Sequence, residues 1–284
     1  VSDESTHAVR KNAEEDGRRN LWYVYAVTRF EGAESVRQDL RGFGGGQVHA
    51  VRNGALAAVA SQVRATDFAE EPLRSHLEDL GWVERTARGH QRVVDGLLSA
   101  GCVLPMRLAT VCRDTAGVHR LLTENRARFE AAIESLEGRA EWGVKVYADP
   151  SSAAPSDGPA TTAPASGRDY LRRRRESVRA TDDASTRAAE AVREVHDALS
   201  AAAERSRLHP PQDPRLSGEP GQNLLNAAYL VPRDREQEFS ALAARLAGRL
   251  PGQRVTLSGP WAPYSFSSTA AGATDDAEGS ASGD

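Results

Sequence analysis

Apolar and polar positions fall into blocks that predict strands and helices by turns. Residues 21–27 (LWYVYAV) are aromatic and β-branched without a polar break, which predicts a central strand covered on both faces. Residues 48–52 and 55–63 flank Asn53-Gly54, a pair that tolerates positive φ and so predicts a tight β-hairpin. Between residues 73 and 100, Leu73, Leu77, Leu80, Ala87, Val94 and Leu98 recur at helical steps. Gly81, Gly89 and Gly96 each cost a helix about 1 kcal/mol against alanine, so two helices or one kinked helix are expected, with Trp82 near the break. Residues 102–108 (CVLPMRL) predict a strand that Pro105 confines to an edge or a bulge.

Val118, Leu121, Leu122, Phe129, Ile133 and Leu136 form a helical stripe that Gly138 can stop, and residues 142–147 (WGVKVY) return to strand. A long arginine- and alanine-rich helix is predicted over residues 167–208, with Val192, Val195, Leu199 and Ala202 at coiled-coil spacing and His209-Pro210-Pro211 as its end. Strand at 224–231, helix through Phe239, Leu242, Leu246 and Leu250, and strand at 254–258 complete the order.

Three stretches carry no such pattern. Residues 1–20 are charged and poor in large apolar groups, 267–284 are small and acidic, and 149–166 are rich in Pro, Ala and Ser, so none can bury enough surface to offset ordering entropy. All three are expected to be disordered. What remains predicts an α+β fold of two domains, residues 21–138 and 139–266, each a small, mostly antiparallel sheet with helices on one face in the manner of ferredoxin-like variants. A length of 284 residues suits two modest domains.

The net charge of −4 gives no general attraction to polyanions, and no run approaches the roughly 20 apolar residues that span a bilayer. No basic start followed by an apolar run marks a secretory signal, so the cytoplasm is the expected compartment. Cys102 and Cys112 lack metal or redox spacing and read as packed thiols.

No enzyme motif is present. Around Gly42 and Gly44-Gly45-Gly46, Gln47 interrupts the spacing of a phosphate loop and a strand follows, so a turn is expected. His76 and His90 stand fourteen residues apart, roughly 21 Å along a helix, too far to share a metal. Neither a metal nor a cofactor is expected. Glu78-Asp79 and Asp182-Asp183 read as solvated helix surface. The basic cluster Arg172, Arg173, Arg174 and Arg175 suits phosphate contacts, yet on a helix its members point all round, and Asp169 and Glu176 offer ion pairs. Trp22, Tyr23 and Tyr25 lack the basic-glycine-aromatic signature of an RNA-stacking sheet and read as core.

Six strings in order, LWYVYAV, SHLEDLGWVERTARGH, VLPMRLATVCRD, EWGVKVYAD, GRDYLRRRR and GPWAPYSF, resemble the gas vesicle protein F/L family (GvpF/GvpL) from about residue 21 to 266. Leu108-Ala109 stand where family members often carry Phe-Gly, and Ala262 replaces a second proline. The resemblance implies a non-enzymatic accessory or minor component of the gas vesicle, cytoplasmic and associated with the vesicle. The partners it implies are the hydrophobic major shell protein, whose aggregation it would limit during nucleation, and other gas vesicle accessory proteins; it implies neither nucleic acid nor membrane as a partner. On resemblance, the partner-binding candidates are Pro105, Arg107, Glu141, Trp142 and Lys145. An alternative reading is a ferredoxin-like nucleic-acid-binding or regulatory module that uses Arg172 to Arg175, and a third is an enzyme whose acids and histidines meet only in the fold.

Overall fold

The computed structural model describes residues 20–33, 40–98, 101–149, 167–212 and 219–267. Apart from Asn20, which opens the first strand, and Ser267, which ends the last helix, the expected tails lie outside the described residues, as does the body of the Pro/Ala/Ser insert. In chain order come β1 (Asn20–Arg29), α1 (Phe30–Ala33), β2 (Val48–Asn53), β3 (Leu56–Arg64), α2 (Ala65–Phe68), α3 (Glu70–His76), α4 (Leu80–Leu97), β4 (Val103–Pro105), β5 (Val111–Cys112), α5 (Thr115–Glu124), α6 (Arg126–Leu136) and β6 (Arg139–Ala148). They are followed by α7 (Gly167–Ala202), β7 (Arg205–Leu208), β8 (Asn223–Pro232), α8 (Glu236–Ala247), β9 (Gln253–Trp261) and α9 (Tyr264–Ser267). The chain divides into two compact units, one of residues 1–139 with 261–284 and one of residues 140–260. Of the described residues, 261–267 thus belong with the first unit, whereas the sequence pattern grouped 261–266 with the second.

In the first unit the strands are ordered β2-β3-β1-β4, with β5 also paired to β1. Asn53-Gly54 turns the β2–β3 hairpin, and Gly54 has φ +65°. Tyr23 to Val27 are buried without a break. Because successive strand residues point to opposite faces, this sheet is covered on both. One face holds Tyr23, Tyr25, Val59 and Val63 against Val93, Val94 and Leu97 of α4, together with Ala262 from the C-terminal segment. The opposite set, Val24, Ala60 and Leu104, is buried on the side of α5 and α6, which bring Val118, Leu122, Phe129 and Ile133. The single stripe expected over 118–136 is two helices. Asn125, at φ −110° and ψ 14°, leaves helical geometry, and its side-chain amide donates to the Leu121 carbonyl (2.9 Å).

The break near Trp82 falls between α3 and α4, where the Asp79 carboxylate caps α4 by accepting from the amides of Gly81 and Trp82. All three glycines expected to weaken the helix nevertheless lie within α4. A Cβ on Gly89 would stand 2.6 Å from the Phe43 ring, so a bare backbone there lets an aromatic ring approach the helix.

The second unit runs β-α-β-β-α-β, with strands ordered β7-β8-β6-β9. Trp142, Val144 and Val146 of β6 and Leu225, Ala227, Tyr229 and Val231 of β8 face Val192, Val195 and Leu199 of α7 and Phe239, Ala243 and Leu246 of α8. Both helices cover one face. The long helix ends at Ala202, short of the expected 208, and β7 is an added strand. The amides of Glu204 and His209 donate to the carbonyls of Leu230 and Asn226, so pairing with β8 replaces helical bonds on both sides of β7. Four residues of edge strand are too few for alternation to outweigh helical composition.

Candidate functional site

The string VLPMRLATVCRD builds one edge of the first sheet in two pieces. Thr28, Val27 and Ala26 pair with β4, and Tyr23 and Trp22 pair with β5. Pro105 has no amide to give and ends β4, buried opposite Ala26. The chain then turns, with both the amide (3.2 Å) and the hydroxyl (2.8 Å) of Thr110 donating to the Arg107 carbonyl. Arg107 is exposed on this turn. Interrupting an edge in this way limits uncontrolled strand pairing while displaying a charged tip.

The turn is anchored from inside. The Ala109 amide, at a residue with φ +63°, donates to Tyr23 Oη (3.0 Å), and Tyr23 Oη lies 2.9 Å from His90 Nδ1. Tyr23 Oη accepts from Ala109, and we assign its own proton to Nδ1, the acceptor within its reach; the imidazole proton then sits on Nε2, which has no partner among the described residues. Burial drives the His90 pKa down to about 4 and raises that of Tyr23. Around Tyr23 stand the rings of Tyr25, Phe43, Phe68 and His90, with centroids 4.7–5.7 Å away. The Tyr25 hydroxyl accepts from the Phe43 amide (3.0 Å) and bonds Ser61 (2.8 Å). Sequence alone said of His90 only that it stands too far from His76 to share a metal. No local signal links positions 23, 90 and 109.

In the second unit, Glu141 and Lys145 share the face of β6 turned away from α7 and α8, while Trp142 points into the core. The structure thus separates Trp142 from its two charged neighbours. Trp142 packs on Phe239 with ring centroids 6.2 Å apart, and its indole Nε1 has no hydrogen-bond partner among the described residues. Glu141 is buried and Lys145 half-buried. On the same face the Arg254 guanidinium lies 4.7 Å over the Tyr147 ring and pairs with Glu219 (2.8 Å), and Tyr147 Oη donates to Gln212 (3.2 Å). His209 is pushed below its ordinary pKa, first by burial and then by Arg207 and Lys145.

The basic cluster falls in the N-terminal half of α7. Arg172, Arg174 and Arg175 are exposed, and Arg172 lies 3.9 Å from Glu176. Among the described residues no His, Cys, Asp and Glu side chains gather as a metal site, and no helix is long and apolar enough to cross a membrane. The Cys102 thiol donates to the Ile133 carbonyl (3.5 Å), and burial, with Asp114 nearby, raises the pKa of Cys112.

A family model described as gas vesicle synthesis protein GvpL/GvpF matches residues 21–268. The chain belongs to the GvpL/GvpF family. It is 51% identical over 253 residues to gas vesicle protein L of Streptomyces sp. (strain CB03234), covering 88% of this chain and 94% of that protein. Gas vesicle protein F of the same strain is 28% identical over 257 residues, covering 86% and 98%. The fold matches crystal structures of GvpF from Anabaena sp. PCC7120 (TM-score 0.64, 17% identity, 90% of this chain and 98% of that one) and from Microcystis aeruginosa (TM-score 0.60, 19% identity, 87% and 98%). Membership places this GvpL/GvpF chain in gas vesicle assembly, in a family of vesicle proteins rather than of enzymes.

Proposed function

We propose that the chain is an accessory protein that binds the hydrophobic major shell protein of the gas vesicle and limits its aggregation while shells nucleate. Family membership over residues 21–268 carries this reading. Support comes from the outer strands β4 and β5, short and interrupted, and β7, short and charged, a form suited to controlled strand addition by an extended apolar segment. Of the five candidate residues, Arg107 on the interrupted edge and Lys145 on the polar face of β6 are the partner contacts. Pro105, Glu141 and Trp142 are buried and set the strands that present them.

Co-expression with the major shell protein tests this reading. A rise in soluble shell protein and co-purification are expected, both reduced by Arg107→Glu with Lys145→Glu. A shell protein that stays equally insoluble and is never recovered with the chain refutes the docking.

A further inference from the structure

The heptad row that seats α7 continues past the sheet. Val192 and Leu199 are 5% and 0% exposed, and stepping back by sevens reaches Ser185, Val178 and Leu171, of which the last two are 53% and 54% exposed. Seven residues advance a helix by about 10.5 Å and fall only about 20° short of two turns. Val178 and Leu171 therefore extend the face that packs on the core further along the same helix. The sequence of residues 167–180 holds six arginines (Arg168, Arg172, Arg173, Arg174, Arg175, Arg179) against two acids (Asp169, Glu176). It is an apolar helix face in a strongly basic segment, with no described element packed on it.

The first unit carries a surface of opposite charge. At the break between α3 and α4, Leu77 and Leu80 are 48% and 65% exposed. Residues 70–84 supply five carboxylates (Glu70, Glu71, Glu78, Asp79, Glu84) against one arginine, Arg74; Glu70 pairs with Arg74 and Glu84 with Arg88, so Glu71, Glu78 and Asp79 give the surface its acidic character. Four of the five large apolar side chains most exposed among the described residues thus fall on these two surfaces, and Leu208 is the fifth. Single exposed apolar residues are ordinary, but pairs set in rims of opposite sign are the makings of an interface with a steered encounter.

We propose that these surfaces are the two halves of a self-association interface, in which the basic apolar face of α7 in one copy docks on the acidic Leu77/Leu80 surface of a second copy. Because the halves differ, the contact is head-to-tail and propagates into rings or short filaments rather than stopping at a symmetric dimer. This association is separate from shell-protein binding.

Sedimentation velocity on the full chain tests it. At about 50 mM salt, wild type is expected to form concentration-dependent oligomers that weaken tenfold or more at about 500 mM, where the Debye length falls to a few ångströms. Reversing either half, with Arg172→Glu/Arg174→Glu/Arg175→Glu or with Glu70→Lys/Glu71→Lys/Glu78→Lys, should give monomers, and mixing the two variants should restore complexes. Leu77→Ser/Leu80→Ser, at exposed positions, should also give monomers and serves if a charge variant fails to show the wild-type circular dichroism. A wild-type chain that stays monomeric at low salt overturns the proposal, as would intramolecular docking, which gives the same result. Association that survives the reversals, or a mixture that restores nothing, overturns it equally.

Discussion

Replacing His90 by asparagine isolates the acid sensitivity of the first unit. In the folded chain the imidazole is neutral, accepts from Tyr23 and has a pKa near 4, against an ordinary value of 6.5. Between those limits the unfolded chain binds a proton that the folded chain refuses, so stability falls as pH falls from 6.5 toward 4 and is fully present above 6.5. The gap corresponds to about 3 kcal/mol when fully crossed, of which about 2 kcal/mol is lost by pH 5. The carboxamide of the substituted side chain can accept from Tyr23 but does not titrate. Urea unfolding at pH 7.5 and pH 5, run on wild type and His90→Asn, gives the comparison. The variant is expected to be less stable at pH 7.5 but to lose about 2 kcal/mol less on acidification than wild type. Equal pH slopes in the two proteins would refute the assigned burial and protonation of His90, and so would an imidazole proton resonance titrating near 6.5.

Packing at α4 gives a paired test. Gly89→Ala should destabilise the chain by about 1–3 kcal/mol, because the added methyl meets the Phe43 ring within a crowded aromatic cluster. Gly96→Ala should cost less, since its methyl meets only the end of the flexible Leu40 side chain and gains about 1 kcal/mol of helix propensity; thermal melts of both decide. Trp142→Ala should cost about 3–5 kcal/mol by chemical denaturation, through loss of its packing on Phe239 and the second core. Asn53→Ala should cost about 1–2 kcal/mol, since it removes a clip in which Asn53 accepts from Arg126 (2.9 Å) and donates to Thr123 Oγ1 (2.7 Å) and the His119 carbonyl (3.0 Å). Amide exchange in the β2–β3 turn should quicken with it.

Local pattern by itself determined much of this protein. The unbroken apolar run at 21–27 required a strand covered on both faces, Asn53-Gly54 required the hairpin, and the alternation at 142–147 put Trp142, Val144 and Val146 on one side of β6. Those features depend on neighbours within a few residues, where backbone sterics and burial act directly. The ordered strings that resemble the GvpL/GvpF family likewise lie in the one-dimensional text. Tertiary structure decided the rest. Composition favours helix at 205–208, and only the open side of β8 makes a strand there; residues 261–267 join the first unit because Ala262 and Phe266 find cover within it. The bond from Tyr23 to His90 joins positions 67 residues apart. Its consequence for the Arg107 turn arises from a buried hydroxyl that must be satisfied, and which group satisfies it is fixed only once the chain has closed on itself.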